Sequence, residues 1–180
     1  MSRTRMLRRL VSGCLFATVI GSGAAFAQAS KSGSLAQELV KLLEAGKLDA
    51  IAIAQGDEPD RFIAVLYYPG QLLVVSAKYA APPLLMERLK EKAYRDVYID
   101  LNSASVPESR VFIQDVGADG LKPKADGGVD GYERGAKTKW AFDGDWRKQK
   151  MASEDEYMKD YVAADAEYTA ILTTLIQKVK

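Results

Sequence analysis

Apolar and polar residues change period several times along this chain, and each change marks an element. Leu35, Leu39, Leu42 and Leu43 recur at helical spacing. Ser34 to Gln37 forms a capping box before them, and Gly46 stands where a left-handed residue would close the last turn. A helix over residues 34–46 is therefore predicted. From Leu48 to Ala54 the period shortens to two, with Ile51 and Ile53 on one face and alanines on the other. Arg61–Tyr68 is apolar almost throughout, Pro69-Gly70 supplies the central residues of a type II turn, and Gln71–Tyr79 returns. Strands apolar on both faces predict a hairpin covered on both sides, or the wall of a small barrel.

The second half is read in the same way. Pro82-Pro83 opens a helix with Leu85, Met86 and Leu89 inward, and Val97, Ile99 and Leu101 alternate with Asp96, Tyr98 and Asp100 as a half-exposed strand. Arg110–Val116 is a further strand. Asp119–Lys139 has five glycines and no apolar period, so it is expected to be a long flexible loop. Trp140 and Phe142 make a short last strand. A second capping box, Ser153 to Glu156, starts a helix to about Lys178 with Tyr157, Tyr161, Ala164, Tyr168, Ile171, Leu175 and Val179 on one stripe. That stripe predicts packing against the sheet or a dimer seam.

The first residues follow a different logic. Arg3, Arg5, Arg8 and Arg9 precede an apolar run from Leu10 to Phe26 that is diluted by Gly13, Gly21 and Gly23 and ends in Ala25-Phe26-Ala27. This is the pattern of a signal peptide cut after Ala27, or else after Ala29, and it predicts an exported, periplasmic or secreted protein. Val11-Ser12-Gly13-Cys14 matches a lipoprotein cleavage pattern, but the apolar run follows the cysteine instead of preceding it, so lipidation is not expected. Residues 28–33 read as a tether and 34–180 as a single domain.

Composition then removes whole classes of chemistry. Taking the leader's four arginines from 25 basic residues leaves 21 against 24 acidic ones, a net charge of −3. No nucleic-acid footprint is expected on such a chain. The one cysteine, Cys14, leaves with the leader, and there is no histidine. Serine and cysteine nucleophiles activated by histidine, imidazole metal sites and histidine-ligated haem are therefore excluded. No catalytic side chain is assigned from the sequence, and no metal site.

The order of Ala50–Ala54, the Arg61 hairpin, the Pro82 helix and the strand at 95–101 resembles the FMN-binding split-barrel family of pyridoxamine 5′-phosphate oxidase, over about residues 35–117. The resemblance implies an α+β fold: a small antiparallel split β-barrel, flanked here by an N-terminal helix and a long C-terminal helix. Members usually form homodimers, and many bind FMN, a deazaflavin or haem at the interface. In that family the flavin phosphate is met by an Arg early in the second strand and by a Ser/Thr and a Lys/Arg ending the third. Arg61, Ser76 and Lys78 match those positions and become the candidate cofactor-binding residues. Ala80-Ala81-Pro82-Pro83 stands where the family carries a further Ser-Arg/Lys pair.

Two function classes therefore compete. One is a non-enzymatic envelope protein that binds a partner or small ligand through a tyrosine-rich face (Tyr67, Tyr68, Tyr79, Tyr94, Tyr98) and the long helix. The other is an FMN-binding oxidoreductase-like module built on Arg61, Ser76 and Lys78. The aspartates beside glycines, from Asp115 to Asp145, fit no calcium-loop spacing and read as turn formers.

Overall fold

A computed structural model describes residues 30–54, 61–78, 110–135 and 138–180. The elements in chain order are helix α1 (Lys31–Gly46), strands β1 (Ala50–Ala54), β2 (Arg61–Tyr68), β3 (Gln71–Lys78), β4 (Val111–Val116), β5 (Asp130–Arg134) and β6 (Thr138–Phe142), and helix α2 (Glu154–Val179). The leader, the turn at 55–60, the Pro82 helix, the strand at 95–101 with Asp96 and Asp100, and Tyr79, Tyr94 and Tyr98 lie outside the described residues.

The strands form one six-stranded antiparallel sheet in chain order, β1 to β6, with two helices on it. The fold is α+β. Among the described residues β1 and β6 end the order, and no pairing joins them into a barrel. Gly70, at φ 78°, makes the turn that the Pro69-Gly70 pair predicts, and the ladder from Tyr68↔Gln71 to Arg61↔Lys78 follows without interruption.

Alternation sorts this sheet into two faces. Ile63, Val65, Leu72, Val74, Val111 and Ile113 pack against Leu39 and Leu43 of α1 and Leu172 and Leu175 of α2 in the main core. Each such side chain stabilises the fold by about 1.5–3 kcal/mol when fully buried. Ala50, Leu66 and Leu73 form a second, smaller cluster with Phe112 on the opposite face. Leu66 is the register partner of both Ala50 and Leu73, which is why β2 is apolar on both sides.

Three boundaries differ from the sequence expectation. Helix α1 starts at Lys31, not at the Ser34 capping box. Lys47, not Gly46, takes the left-handed conformation after it, at φ 52° and ψ 43°. Its amide reaches the Glu44 carbonyl at 3.1 Å and the Leu48 amide reaches Leu43 at 2.8 Å, a complete Schellman closure without glycine. The stretch 119–139, expected as a flexible loop, contains β5 and opens β6. Helix α2 starts as predicted: Ser153 Oγ accepts the Glu156 amide at 3.2 Å. The returning half of that box goes one residue further back, with the Ala152 amide donating to the Glu156 carboxylate at 2.6 Å.

Candidate functional site

The chain between β4 and β5 is wound around two buried carboxylates. Asp115 ends the inward face of β4 and is fully buried. Its Oδ1 accepts the Asp119 amide at 3.1 Å, and its Oδ2 accepts the Gly120 amide and the Tyr168 hydroxyl, both at 2.9 Å. Asp130 opens β5, and its two oxygens accept the Val116 and Lys122 amides, both at 2.8 Å. One acid thus holds the inside of the turn and the other clamps its two ends. The backbone in between turns sharply, with Gly117, Ala118 and Gly120 all at positive φ.

Helix α2 supplies the matching clips. Tyr161 donates its hydroxyl to the Leu121 carbonyl at 2.9 Å, and Tyr157 donates to the Pro123 carbonyl at 2.9 Å. Ser32 of α1 accepts the Leu121 amide at 3.0 Å. The tyrosine stripe therefore faces the interior: its rings fill the core against Phe142 while its hydroxyls satisfy loop carbonyls and a carboxylate. A stripe of tyrosines where leucines would fill space equally well is the sequence signal that this helix meets polar backbone.

Burial sets the electrostatics of this cluster. It pushes the Asp130 carboxyl up to about 7, against the opposing pull of its two amide donors, with Asp115 and Asp119 adding to the rise. Burial also raises Asp115, and it pushes the Tyr161 phenol up to about 12 and Tyr168 well above its usual range. Phenols raised in this way stay protonated donors. Asp130 has the value of a general acid–base group, but both its oxygens are held by amides and it is only 3% exposed. The cluster is built to hold a loop.

The loop so held forms a wall of a cleft of about 320 Å³, lined by Pro123, Lys124, Gly144, Glu154, Tyr157 and Met158. The Tyr157 hydroxyl ties two walls together, donating to Pro123 at 2.9 Å and accepting the Gly144 amide at 3.2 Å. Gly144 sits at φ 81°, and a Cβ there would lie 3.1 Å from Lys124 Cγ, so the glycine lets the lysine stem cross the cleft wall. The size is at the lower end of small-ligand sites.

The residues expected to hold a cofactor lie elsewhere, at the open end of the β2–β3 hairpin. The register pairs Arg61 with Lys78 and Ile63 with Ser76, so the three backbones are neighbours in the ladder. Ser76 is buried and is also the register partner of Val111 in β4. The side chains of Arg61 and Lys78 lie outside the described residues. Of the described tyrosines in the proposed face, Tyr67 donates to Glu44 at 2.6 Å and Tyr68 is exposed.

The remaining aspartates near glycines have local partners. Asp119 and Asp126 hold the Lys122 ammonium at 2.7 and 3.0 Å, and Asp143 accepts the Asp145 amide at 2.8 Å while meeting Lys148. Among the described residues no group of three or more acids forms a metal-holding cluster, and no helix is long and apolar enough to cross a membrane. No family model, no curated protein and no solved structure matches this chain.

Proposed function

We propose that this chain is an exported, non-enzymatic binding protein whose small ligand sits in the cleft beside the first turns of α2. The observation that carries this reading is the construction of that cleft. Its Pro123 wall is fixed by Tyr157, the preceding residues are fixed by Tyr161 and Asp130, and its Gly144 wall is fixed by the same Tyr157 hydroxyl. A cavity whose walls are held in advance binds without the cost of ordering them. The groups that could do acid–base chemistry nearby serve as fasteners, which supports binding over catalysis. Export rests on the Arg3–Ala27 leader pattern.

The test is a ligand-observed NMR screen of small fragments against the mature protein, repeated on Met158→Trp, which fills the cleft. Fragments that bind the native protein and are lost in the variant support the reading. Fragments that bind both equally overturn it.

A second reading keeps the hairpin as a phosphate seat. The Arg61↔Lys78 register, with Ser76 two residues along, favours it: a flavin phosphate held by two cations and a hydroxyl needs them adjacent. In this reading the sheet is the wall of a split barrel whose closure and pairing into a homodimer complete an FMN site. Yellow protein, or an FMN titration that Arg61→Ala weakens by about 1.5–3 kcal/mol, supports it. A colourless protein whose melting ignores FMN, deazaflavin and haem removes it.

A further inference from the structure

The charges on the cleft's rim specify its ligand more closely. Lys124 and Glu154 are the cleft's two charged residues, one on the loop wall and one in the first turn of α2. Among the described residues neither has an ion pair or side-chain hydrogen bond, whereas Lys122, Lys148 and Glu156 do. Lys122 is held between Asp119 and Asp126, Lys148 between Asp143 and Asp145, and Glu156 by the Ala152 amide. One cation and one anion that line the same small space present complementary ends to a molecule that carries both signs. Between them the lining is apolar: the Met158 thioether, the Pro123 ring and the Tyr157 ring, whose hydroxyl is already engaged on both sides.

We infer that the cleft takes a small zwitterion with an apolar side chain, a free α-amino acid or a dipeptide of similar bulk. Its carboxylate meets Lys124, its ammonium meets Glu154, and its side chain lies against Met158 and Pro123. The inference rests on the proposed binding function and sharpens it. Size agrees: about 320 Å³ is roughly ten water volumes at ~30 Å³ each, room for a molecule of that class and too little for a dinucleotide. Both ion pairs would sit at an open rim, so each adds modestly and the affinity is in the range where such ligands are exchanged, not retained.

The experiment is a calorimetric titration of the mature protein with leucine, methionine and dileucine as zwitterions. N-acetyl-leucine, which lacks the ammonium, leucinamide, which lacks the carboxylate, and isoamyl alcohol, which lacks both, complete the panel. Zwitterions should bind about fivefold more tightly than either singly charged analogue, one exposed ion pair's worth in each case. Lys124→Gln should abolish the advantage over leucinamide, and Glu154→Gln the advantage over N-acetyl-leucine. Both variants are at exposed positions, and unchanged melting verifies their folding. If isoamyl alcohol displaces fragments from the cleft as well as leucine does, the zwitterion inference fails while the binding function stands. If neither the panel nor the fragment screen finds a cleft ligand, both fail.

Discussion

Asp165, buried in the middle of α2, caps the N-terminus of α1 through Ser32. The Ser32 hydroxyl donates to Asp165 Oδ1 at 2.6 Å, and the Lys31 amide donates to Oδ2 at 3.0 Å. The Ser30 hydroxyl and the Ser32 amide add a third and a fourth bond at 2.7 and 3.3 Å. A carboxylate that receives the free amides of a first turn and lies on the positive end of the helix dipole performs the task of an N-cap residue, but from the other helix. This one contact sets where α1 starts and fixes the two helices to each other. Removing it leaves buried donors without partners. Asp165→Ala should destabilise the fold by about 2–4 kcal/mol in urea denaturation, whereas Ser34→Ala, at the sequence's own capping box, should cost less than about 0.5 kcal/mol.

Gly120 is where the β4–β5 loop touches α1. A Cβ there would lie 2.5 Å from the Gly33 amide nitrogen and 2.6 Å from Ser32 Oγ, at a φ of 87°. The near atoms are backbone and a bonded hydroxyl, so neither side can yield cheaply. Gly120→Ala should cost at least about 2–3 kcal/mol, combining left-handed strain with overpacking. Gly70→Ala has the same strain with open space around it and should cost about 1–2 kcal/mol. Comparison of the two denaturation midpoints separates contact from conformation.

Lys47 offers the opposite case, a left-handed position that lacks its usual residue. It is exposed, and the Schellman closure uses its backbone alone. Lys47→Gly should therefore raise stability by about 0.5–1 kcal/mol, since relief of the left-handed strain exceeds the added entropy of the unfolded chain. An unchanged or lowered urea midpoint would mean that the lysine side chain contributes something the backbone does not.

The legible parts of this molecule are those that local chemistry decides. The β2–β3 hairpin follows from Pro69-Gly70 between two apolar runs, and its register carries the Arg61↔Lys78 pairing with it. The start of α2 follows from Ser153 and Glu156. Strand β5 was hidden because Asp-Gly-Tyr-Glu-Arg places only Tyr132 as an apolar residue in the core; it is a strand because β4 and β6 flank it. The start of α1 was misplaced because its cap lies on another helix, a partner no local window contains. The cleft was invisible for the same reason: Lys124, Gly144 and Glu154 meet only after Asp115, Asp130 and the tyrosines have folded the loop onto α2.

The same two acids make stability depend on pH in an unusual direction. Asp130 is pushed up to about 7 in the folded protein by burial, far above the usual carboxylate value it returns to on unfolding, and Asp115 moves the same way. Between those two values the folded protein binds more protons than the unfolded chain. Stability from this source is therefore fully present below about pH 4 and is lost as pH rises through about 7. The groups facing Asp130 act consistently with this: Asp115 of β4 and Asp119 of the loop repel its charge, while Lys122, whose amide it accepts, spends its ammonium on Asp119 and Asp126. From α2 the cluster meets Tyr157, Tyr161 and Tyr168, all of which stay neutral across this range. The expected result is a melting temperature several degrees higher at pH 5 than at pH 8. Asp130→Asn lowers absolute stability, because an amide nitrogen must face one of the two amide donors, but it should also flatten the slope between pH 5 and 8. A slope unchanged in Asp130→Asn would assign the proton uptake to Asp115, and a slope of opposite sign in the native protein would show that the amide donors outweigh burial at both acids.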